Sequence, residues 1–426
     1  MTSIKQLALF PEGNSASADR TSGTFIDNMK LPVHRWFRYS AGFSGQWVES
    51  VIAAQRARHV LDPFAGSGTT LIAAEDAGAE TYGVESHPFV ARVAHAKLAR
   101  RTDPEAYRTL ARSVLQTAKR SKPVEGEYPP LIGKCYTEQA LCDLDKLRRA
   151  VAESQDSSIA SELVWLTLIS ILRITSHVGT ANWQYVLPKK TKKVCVEPFD
   201  AFEKQIGIMY RDMMLSQDVK GPRANLVQSD ARTCEGVPAG FADLVVTSPP
   251  YPNNYDYADA TRLEMSFMQE IRGWADLHES VRKHLVRSCS QHVPERAANL
   301  EDVLGAPELT PIRSDLSAVC NQLAEIRLTK GGKKTYHLMV ACYFLDLAKV
   351  WTSLRRACDS PCKVCFVIGD SAPYGIYVPV HEWLGRLAVA AGFAGCHFEK
   401  IRDRNTKWKN RKHRVPLCEG RLWLQG

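Results

Sequence analysis

The chain has 426 residues, 45% of them hydrophobic, and a net charge of +9. Its length suits one large or two to three ordinary domains with a sizeable core, and its longest uncharged apolar run, Leu163 to Leu172, is too short to span a bilayer. The basic excess admits nucleic acid as a partner without demanding it.

The twelve cysteines are scattered, and several, such as Cys342 and Cys365, sit in apolar runs. That pattern fits a reduced, cytoplasmic chain better than a disulfide framework. Cys358, Cys362 and Cys365 make the tightest cluster, but no second pair follows at zinc-site spacing, so no metal is expected. The first thirty residues lack the apolar stretch of a signal peptide.

In chain order, residues 1–30 are rich in Ser, Thr, Gly and Asn and are expected to be poorly ordered. Residues 31–100 begin with a loop and a short helix. RHVLDPFAGSGTTLIAAEDAGAETYGVES then reads as strand (HVLD), glycine loop, helix closed by Gly78, and strand (ETYGVE). Such a βαβ unit predicts a parallel sheet. Helical periodicity follows in FVARVAHAKLARR, LCDLDKLRRAVAE, SELVWLTLISILRI and PFDAFEKQIGIMYRDMML, and residues 101–222 are read as a mainly helical insertion. The third segment is apolar nearly all round, which predicts burial.

Strand signals return within 223–268, at ANLVQSDA and ADLVVTSPPY. Residues 269–335 are polar and charged, with no clear period, and form a variable region open to target recognition. Residues 336–426 supply a long helix, a buried strand (KVCFVIGD), a helix ending near Gly392, and two strands joined by a basic loop.

The chemistry gathers at strand ends. Gly66-Ser67-Gly68 follows the first strand and opens a helix, so backbone can approach a ligand and free N–H groups face it. The dinucleotide fingerprint needs a third glycine where this chain has Leu71. Glu85 ends the second strand, where a carboxylate can accept from a ribose diol. Asp230, after LVQ, is placed to accept from an adenine amine. The strand ADLVVT runs into Ser248-Pro249-Pro250-Tyr251; two prolines cannot continue a ladder, so a hydroxyl and a ring are held on a stiff edge.

Asp62-Pro63-Phe64-Ala65-Gly66-Ser67-Gly68-Thr69-Thr70 together with Thr247-Ser248-Pro249-Pro250-Tyr251 resembles the S-adenosylmethionine-dependent DNA amino-methyltransferases. The resemblance is clear over 31–100 and 223–268 and weaker over 336–426. It implies a Rossmann-like methyltransferase fold with a mostly parallel seven-stranded sheet. It implies S-adenosylmethionine as methyl donor, S-adenosylhomocysteine as product and DNA as partner.

By that resemblance Phe64, Gly66, Gly68 and Thr69 line the methionine end of the cofactor, Glu85 holds the ribose and Asp230 the adenine. Their neighbours Asp62, Thr70, Ser86, Ala231 and Thr247 complete that shell. Phe43, Ser44 and Trp47, in AGFSGQWVE, wrap the methionine. Ser248, Pro249, Pro250 and Tyr251 form the catalytic corner; serine at its first position goes more often with cytosine N4 than with adenine N6. Adenine N6 transfer, an RNA amino-methyltransferase and a binding module without turnover are the rival readings.

From Lys400 to Arg414 eight basic residues face one acid, with an aromatic among them, a pattern suited to tracking phosphates. Lys407, Trp408, Lys409, Arg411, Lys412 and Arg414 are therefore nucleic-acid candidates, as are Lys189, Lys190, Lys192 and Lys193 beside Trp183 and Tyr185. Asn254 and Tyr255 either frame the base pocket or brace Tyr251. A restriction or phage-defence partner is compatible with the family, and a cytoplasmic, nucleoid-associated location is expected.

Overall fold

The computed structural model describes residues 27–39, 42–124, 126–178, 192, 194–293, 298–331, 334–404 and 415–426. Seven strands among them form one sheet in the order β3-β2-β1-β4-β5-β7-β6. They are β1 (His59–Asp62), β2 (Glu80–Val84), β3 (Asn225–Val227), β4 (Ala242–Thr247), β5 (Cys358–Gly369), β6 (Ala394–Arg404) and β7 (Leu417–Gln425). The first five run parallel, and β7 is antiparallel to both β5 and β6. This is the mostly parallel α/β sheet that the βαβ unit predicted.

Alternation along the central strands sorts the core. Val60, Leu244 and Val246 point to one face, where they meet Val48 and Ile52 of α1 (Gly45–Gln55) and Ala73 of α2 (Thr69–Asp76). Leu61, Val245 and Phe366 point to the other. Further chain follows as α3 (Pro88–Leu98), α4 (Pro104–Arg120), α5 (Pro130–Gly133), α6 (Glu138–Glu153), α7 (Ile159–Thr175), α8 (Pro198–Ser216), α9 (Arg262–Phe267), α10 (Trp274–Ser280), α11 (Leu300–Gly305), α12 (Arg313–Arg327), α13 (Tyr336–Ala357) and α14 (Val380–Ala390). Helices α13 and α14 cover the second face.

Helices α4, α6, α7 and α8 share a separate apolar cluster around α7, whose Leu163 to Leu172 stretch is buried as its all-round apolarity predicted. Helix α4 was not among the segments singled out. Asp103 caps it by accepting from Glu105 N at 2.8 Å, with Pro104 in the first turn. Residues 269–335 are more helical than their composition suggested. In α12 the buried positions are Leu316, Cys320 and Leu323, a helical spacing carried by only three residues in a charged segment. Among the described residues no helix is long and apolar enough to cross a membrane.

Candidate active site

The glycine loop leaves β1 at Asp62. The Asp62 carboxylate accepts from Phe64 N at 3.0 Å and from Thr247 Oγ1 at 2.6 Å. Burial raises its pKa to about 6, while the Thr247 and Phe64 donors pull the other way. Gly66 and Gly68 both have positive φ, 51° and 86°, so a side chain at either would be strained. Gly68 precedes α2 without any side-chain cap, which leaves first-turn amides open at the loop. Thr70 Oγ1 donates to Val246 O at 3.4 Å, tying this helix to β4.

Glu85, just past β2, is buried. Its two oxygens accept from Gly66 N at 2.7 Å and His87 N at 2.8 Å, and burial raises its pKa to about 7. Each oxygen keeps a lone pair for a further donor. Ser86 lies between Glu85 and the His87 amide it accepts. Asp230 is committed: Arg232 Nη2 lies 2.6 Å from its Oδ2, and Arg232 also reaches Asp346 at 3.4 Å. Ala231 is buried, and its carbonyl accepts from Ser353 Oγ at 2.7 Å.

The three residues of the preceding segment have structural partners. Ser44 caps α1, accepting from Trp47 N at 3.4 Å. Phe43 is buried among Val48, Val60 and Val246, edge-on to Trp47 at 5.5 Å. The Arg421 guanidinium covers Trp47 at 4.6 Å. The aromatic that meets the glycine loop is Tyr39, whose Cε1 lies 3.3 Å from where a Gly66 Cβ would stand. Sequence reasoning did not single it out, since nothing local distinguishes it.

At the proline corner, Ser248 Oγ donates to Val367 O of β5 at 3.1 Å. Its single proton is thereby engaged, and its lone pairs remain as acceptors. Burial pushes the pKa of the Tyr251 hydroxyl far up. The Arg404 guanidinium lies 5.2 Å from the Tyr251 ring centroid and donates to Asp370 O at 2.8 Å. Gly369 admits this approach: a Cβ there would be 2.7 Å from Arg404 Nη1 and 3.2 Å from Tyr251 Cε2. Asp370 in turn accepts from His381 Nδ1 at 3.1 Å, Tyr377 Oη at 2.9 Å and Cys418 Sγ at 3.0 Å. The signal for Gly369-Asp370 was available, because they end a buried strand on the same edge as the other site residues.

The loop after the corner is braced. Asn254, at φ 64°, accepts from Ser290 N at 2.9 Å and Ser290 Oγ at 2.6 Å. Buried Asp256 accepts from Arg282 Nη2 at 2.6 Å and lies 3.3 Å from His292; hydrogen bonding to these two side chains holds its pKa down at about 2 against the cost of burial. Tyr255 packs edge-on to Tyr257 at 4.8 Å. Lys407, Trp408, Lys409, Arg411, Lys412 and Arg414 lie outside the described residues, as do Trp183, Tyr185, Lys189, Lys190 and Lys193.

Glycine loop, buried Glu85 and proline corner thus line one edge of a sheet, the crevice where open α/β sheets bind ligands. This arrangement is consistent with the S-adenosylmethionine-dependent DNA amino-methyltransferases that the motifs resemble, and comparison with known proteins supports that class. Residues 51–96 match a family described as DNA methylase. The chain is 25% identical over 421 residues to type II methyltransferase M.AvaI of Nostoc sp., covering 90% of this chain and 83% of that protein. It is 22% identical over 428 residues to type II methyltransferase M.BsoBI of Geobacillus stearothermophilus, covering 88% and 82%.

Proposed function

We propose that the chain methylates the exocyclic N4 amine of cytosine in duplex DNA, at a specific sequence. Bound S-adenosylmethionine supplies an electrophilic methyl group. The residues present suit that molecule: Glu85 offers acceptors to a diol, and the uncapped α2 start offers donors to an amino-acid end.

The observation that carries the reading is the engaged hydroxyl of Ser248. A cytosine amine is a poor nucleophile because its lone pair is delocalised into the ring. Ser248 Oγ and the Pro249 carbonyl accept from its two hydrogens and localise that pair on nitrogen. Proline fixes φ, so the carbonyl acceptor needs little reorganisation. Tyr251 gives the extruded base a stacking face worth about 1–3 kcal/mol. Transfer is direct, and positioning supplies much of the acceleration.

Residues 101–222 and 269–335 are the candidate regions for reading sequence, and the basic segment after Arg404 is the candidate for phosphate contact. The kinship to type II methyltransferases supports a restriction endonuclease as partner in the cytoplasm. Serine at the corner supports cytosine over adenine. Digesting methylated DNA to nucleosides and weighing them is the test: N4-methylcytosine is expected, and N6-methyladenine would overturn the choice of base. Labelled donor offered duplex DNA and structured RNA should label only the DNA.

A further inference from the structure

Lys97, near the end of α3, is 1% exposed. Its Nζ donates to His34 O at 3.2 Å, and among the described residues no carboxylate pairs with it. Arg100, three residues on, is by contrast paired, with Glu75 at 3.0 Å and Asp76 at 2.7 Å. An ammonium with three donors, one acceptor and no counter-charge is a costly thing to bury. The cost shows as a pKa lowered by burial to about 7. His34 beside it is held neutral by burial, with Lys97 and Arg100 adding to the effect, so it brings no negative charge.

Lys97 lines a cavity of about 10 Å³, roughly room for one solvent-sized group, together with Asn28, His34, Tyr39, Ser67 and Thr69. Ser67 and Thr69 flank Gly68 at the uncapped start of α2. The uncapped start of α2 and the buried Lys97 therefore border one small space, and an amide-rich helix start and an ammonium both favour an anion.

We infer that Lys97 is the counter-charge for the carboxylate on the amino-acid half of the methyl donor. The nucleoside half is left to Glu85. This rests on the reading of the chain as an S-adenosylmethionine-dependent enzyme.

The test compares S-adenosylhomocysteine with 5′-methylthioadenosine, which lacks the amino-acid half, by calorimetric affinity. Lys97→Met should weaken the first about 10- to 100-fold and leave the second within about twofold. Equal losses for both ligands, or no loss for either, would overturn the assignment. Should Lys97→Met not fold, the wild-type protein offers the same contrast with the methyl ester of S-adenosylhomocysteine. A comparable loss for the ester supports the carboxylate contact, and undiminished affinity refutes it. A wild-type protein that binds neither nucleoside fails the underlying enzymatic reading, and the Lys97 assignment falls with it.

Discussion

Thr247 Oγ1 lies 2.6 Å from Asp62 Oδ1, so the residue before the proline corner and the residue before the glycine loop share one buried proton. They stand at the ends of adjacent parallel strands, β1 and β4. The bond fixes the spacing between the donor pocket and the corner. Thr247→Val keeps the shape and removes the donor, leaving a buried carboxylate one partner short. Stability should fall by about 1–3 kcal/mol, read as a lower midpoint in denaturant. S-adenosylhomocysteine affinity and turnover should both weaken. A variant with wild-type stability and activity would show that the two motifs are not coupled here.

Glu85 gives a pH dependence with a definite sign. Burial raises its pKa from 4.5 to about 7. The folded chain holds this proton more tightly than the unfolded one, so the associated stability is complete below about pH 4.5. It is lost as pH climbs to about 7, by up to about 3 kcal/mol. Asp62, raised to about 6, acts in the same direction, whereas Lys97, lowered to about 7, acts in the opposite one. The clean measure is therefore the difference between wild type and Glu85→Gln in urea stability from pH 5 to pH 7.5. That difference should shift toward the variant as pH rises; a difference independent of pH would contradict the buried-acid assignment. The same variant should bind S-adenosylhomocysteine more weakly.

Ser248→Ala removes the acceptor oxygen and its bond to Val367 O. Turnover should drop about 10²- to 10³-fold, the usual cost of one transition-state hydrogen-bonding partner. Affinity for S-adenosylhomocysteine should stay within about twofold, because Ser248 has no part in holding it. Near-normal turnover would remove the hydroxyl from the mechanism.

Much of this was legible because the signals were local. HVLD, ETYGVE and KVCFVIG are short apolar runs cut off by turns, and GSG and SPPY each follow a strand. Strand ends gather on one edge in parallel sheets, so the strands readable in the sequence bring the candidate site residues together. What escaped depends on distant partners. Tyr39 matters only because Gly66 is brought beneath it, and Arg404 only because β6 pairs with β7 and reaches Asp370. The burial of Phe43 among Val48, Val60 and Val246 likewise depends on strands and helices far from it in sequence.

Asp212 of α8 offers a test of how the leading segment is held. It is fully buried and accepts from Val33 N at 3.0 Å, Trp36 Nε1 at 2.8 Å and the Arg35 guanidinium. Asp212→Ala should cost about 3–5 kcal/mol, since it strands several donors at once. Limited proteolysis should then cut first between residues 27 and 45. Unchanged protease resistance would show that this anchor is dispensable.

Gly369 tests the corner from the opposite strand. Its φ is not positive, so alanine is allowed by the backbone and the effect of substitution is steric. A Cβ 2.7 Å from Arg404 Nη1 and 3.2 Å from Tyr251 Cε2 forces one of them to move. Arg404 is bonded to Asp370 O, and the Tyr251 ring packs against the buried core of the second face, so neither yields freely. Displacing the ring by a few tenths of an ångström should misalign a stacked base, and misplacement on the scale of 1 Å costs about 10²-fold. Gly369→Ala should therefore slow turnover about tenfold or more and leave S-adenosylhomocysteine affinity alone. If the variant methylates DNA at the wild-type rate, the Tyr251 face is not the surface on which the base rests.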